Sequence, residues 1–207
     1  MCDIICAMST TETTAIQKIK ELGSIFRSSE LLQKGVSPRT LYALRDSGVL
    51  EQLSRGTYRL VEQGILSNPD LVTVALRVPQ GVICLISALS FHGLTTQIPH
   101  TVSIAITKTM RNPVISYPPL QVYRYDESSY QAGIEKHLID GVSISVYCPE
   151  KTLADCFKFR NKIGMDVVLE ALKQYRAQRQ LNVAELMKYA DICRVTNIMK
   201  PYLESLL

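Results

Sequence analysis

Two short helix signals, separated by a three-residue turn between Ser28 and Gly48, constrain this chain more than any other stretch. Ser28 is placed to cap the first helix, which stops at Gly35, a residue free to take the left-handed conformation that ends helices. Glu30 falls in the first turn, where the helix dipole favours a carboxylate. Gly35-Val36-Ser37 is a turn of the length two crossed helices need. Ser37 caps the second helix, and Pro38 takes its first position, where a missing N–H costs nothing. Leu41 and Leu44 share one face, predicted to be buried, and Gly48 ends the helix.

The flanks extend this unit. Ala15, Ile16, Ile19 and Leu22 form a helical stripe ending at Gly23. Val49–Leu53 and Thr57–Leu60 read as two strands, with Ser54-Arg55-Gly56 as their turn. Three helices and a hairpin make a winged helix-turn-helix over residues 13–62. Its second helix carries Ser37, Arg39, Thr40, Tyr42 and Arg45, and the first turn of such a helix is the part that reaches base edges in a major groove. Arg55 at the hairpin tip and Arg59 on its second strand are candidates for phosphate or minor-groove contact, although Arg59 could equally be a solvated strand residue. The competing reading is a helical subdomain that binds protein instead.

The 207 residues suit one large domain or two small ones, and 46% hydrophobic residues are enough for a real core. A net charge of +4 is modest for a DNA binder, so a basic surface must be local. Lys34, Arg39, Arg45, Arg55 and Arg59 stand against Asp46 and Glu51 in that stretch. The six cysteines include no Cys-x-x-Cys and no zinc-ligand spacing, which points to a reduced, cytoplasmic protein without cofactor or metal. No apolar run is long enough to span a membrane. The first seven residues lack a basic region, so no secretion signal is expected, and Met8 is a candidate start.

Three regions are expected: a tail over 1–12, a winged-helix DNA-binding domain over 13–66, and an α+β effector domain over 67–207. A Gly64–Pro69 junction leads to a helix over Pro69–Val78 and a buried helix over Val82–His92. Val102–Thr107 and Leu120–Tyr125 alternate as strands. Ile134–Ile139 and Val142–Tyr147 flank Asp140-Gly141, a two-residue hairpin turn. A small, mainly antiparallel sheet is predicted, followed by helices from Pro149 onward.

Enzymatic signatures are sparse. Phosphate-binding and nucleophile-elbow motifs are absent, and His92, before Gly93, reads as structural. A nuclease needs acidic ligands with a lysine on one strand face. Glu135-Lys136 and Glu150-Lys151 are adjacent pairs, which a strand would split between its faces. Lys151 and Asp155 read as a capping and helix-surface pair. The expectation is a non-enzymatic protein.

Gly35–Leu41, Gly48-Val49-Leu50 and Arg55–Leu60 together resemble the N-terminal winged helix of the AbiEi-type antitoxins of type IV toxin–antitoxin systems. Ser87–Leu94 and Glu150–Asp155 are similar to later motifs of the same family. The resemblance implies an N-terminal domain that binds operator DNA and represses its own operon. It also implies a C-terminal domain that neutralises a nucleotidyltransferase-like toxin without forming a stable complex with it. Stand-alone regulators without a toxin exist among such relatives.

Overall fold

The computed structural model describes residues 10–23, 25–63, 66–178 and 182–205. Met8, Cys2, Cys6 and Gly64 of the predicted junction lie outside the described residues. By internal contacts the chain forms two units. One comprises Met1–Leu76 with Leu138–Val142, and the other Arg77–His137 with Ser143–Leu207.

The first unit is a winged helix-turn-helix. Helix α1 (Thr10–Leu22) leads to a short strand β1 (Ile25–Arg27), then to α2 (Ser28–Gln33) and α3 (Pro38–Asp46). Strands β2 (Leu50–Ser54) and β3 (Thr57–Leu60) form the wing. The sheet order is β1-β3-β2, so β3 is central and antiparallel to both neighbours. Ile19, Leu31, Leu44 and Leu60 have no exposed surface and Phe26 almost none; together they form the small core. Burying each of these side chains contributes about 1.5–3 kcal/mol.

Two local readings shift. Arg27, not Ser28, is the N-cap of α2: its backbone is still extended (φ −92°, ψ 146°), whereas Ser28 is already the first helical residue, its N–H donating to the carbonyl of Gly56 at 2.8 Å. Glu30 closes the first turn by accepting the Arg27 N–H at 2.7 Å. The wing turn is Arg55-Gly56 alone, with Gly56 at φ +74°. Ser54 joins the strand, through a register shift between Gln52 and Ser54. Strand β1 carried no sequence signal, since three residues cannot display an alternation.

Helix α4 (Pro69–Arg77) precedes the second unit, which is α+β. Its strands are β4 (Val82–Ile83), β5 (Val102–Thr107), β6 (Leu120–Tyr125), β7 (Ile134–Ile139) and β8 (Val142–Tyr147), except that the β7–β8 turn with its flanking residues, Leu138–Val142, counts with the first unit. Its helices are α5 (Leu85–Phe91), α6 (Glu127–Gln131), α7 (Pro149–Lys158), α8 (Arg160–Ile163), α9 (Met165–Gln178), α10 (Val183–Cys193) and α11 (Thr196–Glu204). The predicted helix over Val82–His92 therefore splits into β4 and α5.

Asp140 (φ +49°) and Gly141 (φ +83°) both adopt the left-handed conformation that a type I′ hairpin turn requires. The five strands order as β6-β5-β4-β8-β7. Within the expected α+β class, this sheet is mixed: β4 and β5 are antiparallel, but β5 pairs β6, and β4 pairs β8, in parallel. Alternation along a strand reveals its faces and not its direction. The loop over residues 108–119 is long enough for the crossover that a parallel β5–β6 pair needs.

Helix α7 sits at the centre of the helical layer, packed by α5, α9, α10 and α11. Eight of its residues are buried, including Lys151 and Asp155. The helix-surface reading of that pair is thereby corrected. A helix surrounded on all sides has no solvated stripe on which charges could lie.

Candidate nucleic-acid interface

The exposed side of α3 is set by its cap. Ser37 Oγ accepts the Thr40 N–H at 3.2 Å and lies 2.9 Å from the Thr40 hydroxyl. Pro38 occupies the first turn, as expected, and Leu41 and Leu44 turn inward. The opposite face then presents Arg39, exposed, with Thr40 half-buried beside it. Tyr42 is also exposed, and the Arg45 guanidinium lies over its ring at 5.0 Å. Arg45 is at the same time bound to Asp46, Nη2 to Oδ1 at 2.7 Å.

The wing separates its two arginines. Arg55 is exposed in the tip turn. Arg59 stands on the central strand directly opposite Glu51 and is paired with it, Nε to Oε2 at 2.6 Å. Its side chain keeps only 16% of its surface exposed. Ser37, Arg39, Thr40, Tyr42 and Arg45 thus come together on or beside α3, Arg55 stands at the tip, and Arg59 is held by the sheet.

Two cations escaped the sequence reading. Arg27 is exposed at the end of β1, a strand too short to read. Lys18 on α1 donates to the carbonyl of Lys34 at 2.7 Å. It lines a cavity of about 380 Å³ together with Thr10, Thr14, Gly35, Ser37 and Thr40, which joins α1 to the turn of the helix-turn-helix. Only the period of α1 was legible beforehand, not which of its polar residues would meet that turn.

The second unit holds a buried polar cluster instead of a surface pair. Lys151 Nζ and Asp155 Oδ2 are 2.6 Å apart, and neither side chain is exposed. The ammonium lies over the rings of Tyr147 at 4.3 Å and Tyr125 at 4.9 Å. Cys193 donates to the other Asp155 oxygen at 3.2 Å. Burial raises the Asp155 carboxyl above its ordinary range, with Lys151 pulling against it. Burial likewise raises the thiols of Cys84 and Cys156, and pushes Cys193 up to about 12. Four cysteines, Cys84, Cys148, Cys156 and Cys193, are buried and free. A raised, enclosed thiol is a poor nucleophile. His92 bonds the carbonyl of Tyr147 through Nε2 at 2.7 Å, a contact that ties α5 to β8. Among the described residues no group of three His, Cys, Asp or Glu side chains is placed to hold a metal ion. No helix among them is long and apolar enough to cross a membrane.

A capped helix presenting arginine and hydroxyls, beside a wing set in a three-stranded sheet, defines the class of winged helix-turn-helix proteins. Comparison with known proteins is consistent with this class. Residues 16–61 match the model of a family described as transcriptional regulators of the AbiEi antitoxin type, a regulatory family. The fold of the RV2827C protein from Mycobacterium tuberculosis, known from its crystal structure, is similar with a TM-score of 0.58. That likeness covers 95% of this chain and 82% of the other, at 14% sequence identity. No curated protein matches by sequence.

Proposed function

We infer that this protein is a transcriptional regulator whose DNA-binding domain, residues 13–66, lays α3 into the major groove of its own promoter. Arg39, exposed in the first turn of α3 beside the Ser37–Thr40 cap and without an ion-pair partner among the described residues, is the observation that carries the reading. Thr40, Tyr42 and Arg45 complete the recognition surface, and Arg55 meets phosphate from the wing. Arg59, already paired, supports the sheet more than the contact. The AbiEi match supports autorepression and the antitoxin role. In that reading the domain over 67–207 counteracts a nucleotidyltransferase-like toxin functionally, without a stable complex, and the protein works in the cytoplasm without catalysing a reaction.

The test is a fluorescence anisotropy titration against the upstream DNA and a scrambled duplex, at two salt concentrations. Arg39→Ala is expected to cost about 1–3 kcal/mol on the specific site and to relax specificity. Arg55→Ala is expected to weaken both duplexes alike and flatten the salt slope. Equal losses on both duplexes in Arg39→Ala would refute base readout. Absence of salt-dependent binding would leave the winged helix as a protein-interaction module. For the antitoxin half, co-expression with a neighbouring nucleotidyltransferase should restore growth while the two proteins fail to co-purify.

A further inference from the structure

A second cavity, of about 350 Å³, opens in the α+β unit between α6, the end of α7 and the α10–α11 junction. Three cations line it: Lys158, Arg160 and Arg194. None of the three has an ion-pair partner among the described residues, and each arrives from a different position on the fold. Lys158 ends α7, its ammonium 5.6 Å from the centre of the Tyr125 ring. Arg160 begins α8 and spends one guanidinium nitrogen on the carbonyl of Phe157 at 3.0 Å. Arg194 is exposed at the C-cap of α10, in the left-handed conformation.

The single carboxylate on the wall is Asp126, which Lys108 already neutralises at 2.6 Å. Ser129, also on the wall, is 2% exposed, and its Oγ is buried with no hydrogen-bond partner among the described residues. Val195 and Ile198 add an apolar wall.

We propose that this cavity binds a phosphate monoester, with a mononucleotide as its occupant. The phosphate dianion takes the point charge of Lys158 and the forked donors of Arg160 and Arg194. A volume of about 350 Å³ is far larger than one phosphate requires and lies in the range of small-ligand sites. The apolar wall accommodates the remainder of the molecule. This site shares no residue with α3.

Calorimetric titration of the full chain with inorganic phosphate, AMP, UMP and adenosine tests it at low salt. AMP and UMP are expected to bind, with phosphate competing and adenosine silent. Nucleotides tighter than phosphate identify the nucleotide as the source, whereas equal affinities identify free phosphate and overturn the assignment of a nucleotide. Lys158→Gln is expected to weaken binding about tenfold or more, the size of one lost charge-assisted bond. Arg194→Gln, at the exposed C-cap of α10, is expected to weaken it severalfold without lowering the thermal midpoint. No binding at millimolar concentration, unchanged affinity in Lys158→Gln, or displacement of the nucleotide by duplex DNA would overturn the proposal.

Discussion

Removing one partner of the buried Lys151–Asp155 pair has a consequence that can be worked out with its sign. Both side chains are fully buried, and their separation is 2.6 Å. Losing one partner from such a pair costs about 3–5 kcal/mol, since an uncompensated charge stays in the interior. The orphan can always shed its charge, so the cost of neutralisation sets a ceiling. In Lys151→Met, Asp155 must bind a proton in the folded state while remaining ionised in the unfolded chain. With an ordinary carboxyl pKa near 3.9, the ceiling is about 4 kcal/mol at pH 7 and about 1.5 kcal/mol at pH 5. In Asp155→Leu, Lys151 must lose a proton instead, and with an ordinary pKa near 10.4 the ceiling is about 4.6 kcal/mol at pH 7 and about 2 kcal/mol at pH 9. The two variants therefore move in opposite directions. Destabilisation by Lys151→Met shrinks as the pH falls, and that by Asp155→Leu shrinks as it rises. The Cys193 thiol softens the first and the two tyrosine faces the second. The double variant, apolar and of similar volume, should recover most of the loss. Urea unfolding followed by far-UV circular dichroism at pH 5, 7 and 9, referenced to wild type at each pH, measures all four corners of the cycle. Costs below about 1 kcal/mol, or the same pH trend in both single variants, would refute the argument.

Other expectations follow from single contacts. Gly133→Ala meets φ +73° and would place its Cβ 2.7 Å from Lys151 Cβ and 3.1 Å from Cys148 Sγ; a loss of about 2 kcal/mol or more is expected by urea unfolding, and a neutral result would show that β7 yields there. Ser37→Ala removes the cap of α3 and should cost about 1 kcal/mol, read as a lower urea midpoint at constant m. Raised thiols make the folded state hold protons that the unfolded chain releases, so stability is complete below about pH 8.5 and falls above it. Each of Cys84, Cys156 and Cys193 can contribute up to about 1.4 kcal/mol per pH unit in that window. The urea midpoint should drop between pH 8 and 9.5, and drop less in Cys156→Ala; an identical slope in the variant would contradict it.

What the sequence showed, it showed where local chemistry decides. The Ser37-Pro38 start and Gly35 and Gly48 stops of the helix-turn-helix, and the Asp140-Gly141 turn, each rest on a residue whose backbone preference is strong by itself. What stayed hidden depends on neighbours distant in sequence. Strand direction in the β5–β6 and β4–β8 pairs is one example. The fate of Lys151 is another: on the wheel of α7 it looks like any surface lysine, and only packing by four other helices encloses it. The same holds for Ser129, Lys158, Arg160 and Arg194, whose separation in sequence conceals a shared wall.

The pairing of charges in the winged helix bears on how it would hold DNA. Residues 10–63 carry eight cations and six anions, a nearly balanced count that argues poorly for a nucleic-acid surface. Pairing changes the picture. Lys20, Lys34, Arg45 and Arg59 are bound to Glu62, Glu21, Asp46 and Glu51. Among the described residues Arg27, Arg39 and Arg55 keep no such partner, and Lys18 spends its ammonium on a carbonyl. Four of the six anions are thus spent on four cations, and the cations remaining include the two arginines best placed on α3 and the wing. Two to four phosphate contacts per copy imply a slope of log affinity on log salt of about −2 to −4. One copy would then lose about tenfold to a hundredfold between 50 and 200 mM salt. Two copies on an inverted repeat would double the slope, and a value steeper than that would mean that Arg45 and Arg59 leave their carboxylates for the DNA. With so little non-specific charge to draw on, discrimination in the proposed complex would have to come from what Arg39 and Thr40 touch.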